Sequence, residues 1–182
     1  MQVIKTIIDD VLLIEPKVFG DHRGFFMESF NRRVWQEKTG VEFNFVQSNH
    51  SRSTKNVLRG VHYQLAHPQG KLVRVVNGAV FDVAVDLRQN SPTFGRWVGE
   101  ILSADNKRQL WVPERFGHAF LVLSESADFL YQTTEYYHPE DEHCLLWNDP
   151  TVGITWPLDG ASPLMSEKDL RGKSLAEAAL YQ

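Results

Sequence analysis

The chain of 182 residues has a single cysteine, Cys144. That excludes an internal disulfide and a zinc centre built on cysteines, and Cys144 reads as a small buried hydrophobe. Basic tails and Lys/Arg clusters are missing too: 19 Lys and Arg stand against 23 Asp and Glu, a formal net charge of −4. Such a chain lacks the electrostatic footprint of a nucleic-acid or anionic-membrane binder. No apolar run is long enough to span a bilayer, and the start Met1-Gln-Val-Ile-Lys-Thr has no signal-peptide core, so a cytoplasmic protein is expected. Repeats, low-complexity tracts and linkers are absent, which predicts one domain, residues 1–182, with a sizeable core.

Helical patterning is scarce. Strand-like runs recur about every ten residues, separated by glycine and proline. They are Val3–Ile7, Val11–Glu15, Phe25–Phe30, Phe43–Asn49, Val57–Gln64, Lys71–Asn77, Ala79–Leu87, Arg96–Leu102, Gln109–Val112, Ala119–Ser124 and Asp128–Glu135. Many short strands of even spacing predict an all-β antiparallel barrel or sandwich. Two helices are expected: Asn31–Thr39, with an Asn start and a Gly40 stop, and the alanine-rich Ser174–Leu180.

Chemistry concentrates in Arg59-Gly-Val-His62-Tyr-Gln-Leu-Ala-His-Pro-Gln-Gly-Lys71. A phosphate-binding cation, a general base and an oxyanion-stabilising cation are what proton removal beside a ketone in a phosphorylated substrate requires. Each residue also has an ordinary reading: a core histidine, an exposed strand-start lysine, a solvent-facing arginine. Strict alternation puts Arg59 and His62 on opposite faces, and a bulge at Gly60 would aim both inward. Alternation also puts Gln47 and Asn49 on one face with Phe43 and Phe45, Lys71 with Val73, and Tyr131 with Tyr137 if that strand runs so far. Tyr131 reads either as a core or rim aromatic or as a general acid. A histidine base needs an orienting carboxylate; Asp82, Asp86 and Asp169 qualify by type, and spacing does not choose among them.

His118, in Pro113-Glu-Arg-Phe-Gly-His118, pairs with Gly60-Val-His62-Tyr-Gln64 to resemble the two half-motifs of the cupin superfamily. Metal-binding cupins place a histidine where this chain has Gln64 and add a glutamate that is missing between 62 and 78. Two histidines make a weak metal site, so a metal-free pocket is expected.

Longer segments carry a more specific resemblance. They include Glu15-Pro-Lys-Val-Phe-Gly-Asp-His-Arg-Gly-Phe-Phe, Phe45-Val-Gln-Ser-Asn-His-Ser, Asn56-Val-Leu-Arg-Gly-Val-His-Tyr-Gln, Gln69-Gly-Lys-Leu-Val-Arg, Ser91-Pro-Thr-Phe-Gly and Phe129-Leu-Tyr. With Leu146-Trp-Asn-Asp-Pro and Ile154-Thr-Trp-Pro they make nearly the whole chain resemble the dTDP-4-dehydrorhamnose 3,5-epimerases. The resemblance implies a cupin-type jelly roll with a few peripheral helices, acting as a homodimer whose N-terminal segments cross. It implies His62 as base, Asp169 as its orienting carboxylate, Tyr131 as proton donor and Lys71 as the cation beside the C4 oxygen. Arg23, Glu28, Gln47, Ser48, Asn49, Arg59, His118, Glu142 and Lys168 are implied contacts to a dTDP-sugar, with no cofactor and no metal. Two departures stand out: Ser48 replaces an expected Asp or Asn, and the turn Leu65-Ala-His-Pro-Gln is short. A mono-epimerase on a related deoxy-ketosugar, a metal-dependent cupin dioxygenase and a non-catalytic sugar-nucleotide barrel are the alternatives.

Overall fold

The computed structural model describes residues 1–182. Its strands are β1 (Gln2–Lys5), β2 (Leu12–Glu15), β3 (Val18–Asp21), β4 (Gly24–Met27), β5 (Gln47–Thr54), β6 (Leu58–Gln64) and β7 (Lys71–Asn77). They continue with β8 (Ala79–Asp86), β9 (Trp97–Ser103), β10 (Gln109–Val112), β11 (Phe116–Val122), β12 (Ser126–Thr133) and β13 (Glu142–Cys144). The helices are α1 (Arg32–Thr39) and α2 (Glu167–Leu170). A six-stranded sheet in the order β1-β2-β10-β7-β12-β5 faces a five-stranded sheet in the order β13-β6-β11-β8-β9, and β3-β4 forms a separate hairpin. All strand pairings are antiparallel, giving the expected all-β sandwich.

Three apolar clusters hold these layers. Leu13, Val73, Val75, Val80, Leu102, Leu110, Phe120 and Phe129 fill the space between the sheets. On the outer face of the five-stranded sheet, Val61, Val83, Val85 and Leu145 meet Leu175 and Tyr181 of the C-terminal segment. Both faces of β11 are therefore covered, and all its residues are buried. On the outer face of the six-stranded sheet, Leu12, Leu72 and Trp111 pack on Trp35 of α1. Asn31 caps α1 by accepting from the Val34 N–H, and Gly40 ends it at φ 69°, the left-handed conformation glycine adopts freely.

Two expectations change. Phe43–Val46 is not strand: β5 starts at Gln47, because Phe43 and Phe45 stack with Trp111, Trp35 and Phe30 over the sheet instead of pairing within it. Ser174–Leu180 is not a helix. A helix would pull Leu175 and Tyr181 out of their cluster, and packing overrides alanine propensity. The Leu175 N–H donates to Asp149, and the Tyr181 hydroxyl donates to the Gln64 carbonyl. The helix forms earlier, at α2, where Ser166 accepts from the Asp169 N–H.

The bulge expected at Gly60 is present: between the pairs His118–His62 and Phe120–Arg59, one residue of β11, Ala119, faces two of β6, Gly60 and Val61. Gly60 has φ 110°, and a Cβ there would fall 2.5 Å from the His118 carbonyl oxygen. Gly60→Ala is therefore expected to destabilise the fold by at least about 2 kcal/mol, combining a backbone strain of ~1–3 kcal/mol with a backbone clash. Chemical denaturation of the two proteins checks this, and an unchanged midpoint would refute it.

Candidate active site

A cavity of about 320 Å³ opens between the sheets. Its walls come from facing strands: Arg59 and His62 on β6 and His118 on β11 from one sheet, Lys71 on β7, Tyr131 on β12 and Gln47 and Asn49 on β5 from the other. Glu142 and Lys168 close the rim on the side of β6. The bulge at Gly60 is what lets Arg59 and His62 line one cavity despite strand alternation.

The His62 ring is fixed from behind. Asp169 Oδ1 lies 2.5 Å from His62 Nε2. With its proton on Nε2, donated to Asp169, neutral His62 presents a lone pair at Nδ1. Nδ1 lies on the other side, 4.0 Å from Glu142 Oε1. Burial works against the Asp169 charge, yet the bonds from His62 and Ser166 and the nearby Lys168 hold its carboxyl below the usual range. Among the three candidate carboxylates, each has a definite place. Asp169 takes His62. Asp82 pairs with His118 Nε2 at 3.0 Å. Asp86 is bound by Arg88, Ser91 and Thr93 in a turn.

Lys71 is not an exposed strand-start lysine. It is 8% exposed, and burial pushes its ammonium down to about 8 against the pull of Glu142 and Asp82. Tyr131 is a half-buried phenol raised by burial and by the charge of Glu142. Glu142 is the hub of the rim: its Oε2 accepts from Lys168 Nζ at 2.5 Å and from the Tyr137 hydroxyl at 2.7 Å. Burial opposes its charge, but these bonds keep its carboxyl low. Arg59 is aimed by donating to Ser53 Oγ at 3.0 Å, and Gln47 donates to Asn49 at 2.9 Å, as expected for residues on one strand face.

Four expected site residues lie off the cavity wall. Asp169 stands behind His62. Ser48 alternates to the exposed face of β5. Arg23 sits on the β3–β4 hairpin, bound to Asp21, and Glu28 follows that hairpin, accepting from Asn31. Around Arg23, Phe19, Phe25 and Phe26 are 54%, 61% and 70% exposed. Ser51, Gln69, Phe120, Phe129 and Tyr137 line the cavity without having been singled out as site residues. Alternation from Asn49 reaches Ser51 and from Tyr131 reaches Phe129, so those two were within reach of the pattern. Cys144 corrects an expectation: it is only half-buried and pairs directly with His62 across β13–β6.

Gln64 explains itself structurally. Its side-chain amide donates to the carbonyls of His67 and Tyr136 and accepts from the His138 N–H. It clamps the loop that carries Tyr137 and is not on the cavity wall, so the residue at the metal-cupin ligand position holds the rim.

The chain matches the profile of the dTDP-4-dehydrorhamnose 3,5-epimerase family over residues 5–177. It is 60% identical to the dTDP-4-dehydrorhamnose 3,5-epimerase of Pseudomonas aeruginosa, over 100% of this chain and 99% of that protein. It is also similar to a dTDP-6-deoxy-D-glucose-3,5-epimerase from Legionella pneumophila solved in complex with dTDP-4-keto-L-rhamnose. That structure shows 53% identity and a TM-score of 0.95, covering 98% of this chain and 94% of that one. A 3′-monoepimerase from Streptomyces bikiniensis in complex with dTDP-quinovose shares the fold at 35% identity and TM-score 0.88, over 94% of this chain and 87% of that one. With a match that spans almost its full length, the chain belongs to the dTDP-4-dehydrorhamnose 3,5-epimerase family.

Proposed function

We propose that this single-domain chain inverts C3 and C5 of dTDP-4-dehydro-6-deoxy-D-glucose, giving dTDP-4-dehydro-L-rhamnose. One observation carries the reading: a carboxylate-held histidine faces a buried lysine and a phenol across one cavity, the histidine on one sheet and the others on the opposite sheet. Both carbons flank the C4 ketone, so loss of either proton gives an enolate. Nδ1 of His62 removes the proton. Lys71 faces the enolate oxygen, a type of contact worth roughly 3–4 kcal/mol of barrier. Tyr131 returns a proton from the opposite wall and inverts the centre. Arg59, with Gln47, Asn49, His118 and Lys168, holds the nucleotide sugar, the guanidinium giving the diphosphate paired donors. Relatives much closer in sequence than the monoepimerase are named as 3,5-epimerases, which favours double inversion. A metal-dependent dioxygenase would need a ligand at position 64, and the Gln64 amide is committed to the rim.

We further infer a homodimer in which the β3–β4 hairpin of one copy reaches the cavity of the other. The hairpin's exposed phenylalanines support this, as does the position of Arg23 and Glu28 away from their own cavity.

Three measurements test these assignments. In heavy water, His62→Asn should lose deuterium wash-in and product together, by at least ~10²-fold. Tyr131→Phe should keep wash-in while forming little epimerised product, because the enolate is reprotonated from the side it left. Matched, near-normal exchange and inversion in Tyr131→Phe would move the donor elsewhere.

Lys71 sets the basic limb of the pH profile. Its charge is present below about 8 and lost above it. The value of kcat/KM for the free enzyme should therefore fall about tenfold per pH unit beyond that point. In Lys71→Arg, whatever activity remains should lack this limb, since a guanidinium stays charged. A limb that persists unchanged in Lys71→Arg would assign it to another group.

Mixing separately inactive Arg23→Ala and His62→Asn chains after subunit exchange should restore up to about a quarter of wild-type activity, from the one intact site of each mixed dimer. No recovery from a dimer shown to have exchanged would mean that Arg23 does not serve the partner's cavity.

A further inference from the structure

We infer that His62, Cys144 and Asp169 form a binding site for a thiophilic divalent cation such as Zn²⁺, and that the ion inhibits the enzyme by fixing the wrong tautomer of His62. The inhibition rests on the proposed role of His62 as base. The three potential ligand atoms lie within 4.8 Å of one another. They come from β6, β13 and α2, and strand pairing sets Cys144 directly opposite His62. Side chains of paired residues share a face, so the thiol and the imidazole are held on the same side of the sheet.

The spacing is close to what zinc requires. Bond lengths of about 2.0–2.3 Å in a tetrahedron place nitrogen, oxygen and sulfur ligands roughly 3.3–3.6 Å apart. The Nε2–Oδ1 contact would open from 2.5 Å, and the sulfur would close in, both by side-chain rotation. Burial and the Asp169 charge push the Cys144 thiol up to about 12, so the ion must displace its proton, but the thiol makes no strong competing bond. Its contacts are weak ones to the carbonyls of Leu145 at 3.5 Å and Asp169 at 3.9 Å. A second opening adjoins the substrate cavity and shares Glu142 and Lys168 with it. A recess of about 460 Å³ lies beside β13, lined by Tyr63, Glu142, Cys144, Lys168 and Lys173 among others. A cation can approach the sulfur through this recess, passing Glu142 and Glu167 as well as the cationic Lys168, Arg171 and Lys173.

The consequence follows from imidazole chemistry. The thiol gives its proton to solvent as sulfur binds the ion. The imidazole proton moves from Nε2, now on the metal, to Nδ1. A neutral ring with a metal on Nε2 and a proton on Nδ1 presents a donor to the cavity where the reaction needs a base. The Nε2–H bond to Asp169 that selects the productive tautomer is the bond the ion replaces.

The test uses the full-length protein and its Cys144→Ser and Cys144→Ala variants, each shown to be folded by thermal melting. Co²⁺ is the probe independent of turnover, because thiolate ligation gives a sulfur-to-cobalt charge-transfer band. Wild type should show that band at one ion per chain, and neither variant should. Zn²⁺ should abolish epimerisation in wild type, while Mg²⁺ should not. In both variants basal turnover should be unchanged, and the zinc needed for half-inhibition should rise at least about tenfold. The stacked pair His67 and His138, with ring centroids 4.0 Å apart, offers imidazoles to zinc equally in all three proteins, so the difference between them is the readout. Equal zinc sensitivity, a missing thiolate band, or a band formed without loss of turnover would each overturn the inference. A protein that forms the band but has no epimerase activity of its own would instead sink the proposed reaction and leave the ion site standing.

Discussion

Lys71 and Asp82 carry opposite charges into the space between two sheets, where they are 8% and 0% exposed. Burial pushes the ammonium toward neutral and the carboxyl toward protonation; Glu142 first and then Asp82 draw Lys71 back, and His118 first and then Lys71 draw Asp82 back. The mutual attraction extends outward. Asp82 also binds His118, Lys71 also feels Glu142, and Glu142 gathers Lys168, Tyr137 and the ring of His62. Removing one member of such a buried set weakens the compensation of the rest; breaking a lone buried pair by removing one partner typically costs about 3–5 kcal/mol. The polar wall is thus a structural requirement before it is a catalytic one. An anionic substrate entering it meets charges already oriented, which is how preorganised sites lower barriers.

That polar wall is affordable only because apolar layers surround it. The inter-sheet cluster fixes the sheet separation, and the two outer clusters stop either sheet from flexing away. Strands suit this task. Alternation sends every second residue into the space between the sheets, where some fill the core and others line the cavity. Phe129 and Tyr131 show the transition along β12: Phe129 stacks on Phe120 at 4.2 Å and also reaches the cavity wall, where Tyr131 stands. Where alternation fails, as between Arg59 and His62, a glycine at positive φ supplies the missing half-turn of the chain.

The fold class was legible because its signal is local and repeated: short runs, regular turns and few helices. Capping chemistry also read well, since Asn31 and Gly40 act within their own turn. The failures share a physical cause. Phe43–Val46 has strand composition but its rings are spent on Trp111 and Trp35, and Ser174–Leu180 has helix composition but its apolar residues are spent on a distant sheet. Long-range packing decided both, and no window of sequence contains it. The site divides in the same way. His62, Lys71 and Tyr131 lie on strands whose faces can be counted. The choice of Asp169 over Asp82 and Asp86 as the partner of His62 depends on a chain return of more than a hundred residues, and only family resemblance pointed to it.

That return ties the C-terminal segment to the proposed active site, since it carries Asp169 to His62. After α2 the chain comes back along β13, with the Lys173 N–H donating to the Cys144 carbonyl and the Leu146 N–H donating to the Lys173 carbonyl. It then inserts Leu175 into the outer cluster and ends with Tyr181 bonded to the Gln64 carbonyl. Gln64 holds the loop bearing Tyr137, and Tyr137 holds Glu142. One extended segment therefore positions both the carboxylate behind His62 and the rim beside it. A helix at 174–180 would have satisfied local propensity and lost both connections. The segment remains irregular because its side chains do more in contact with the sheet than its backbone would gain by coiling.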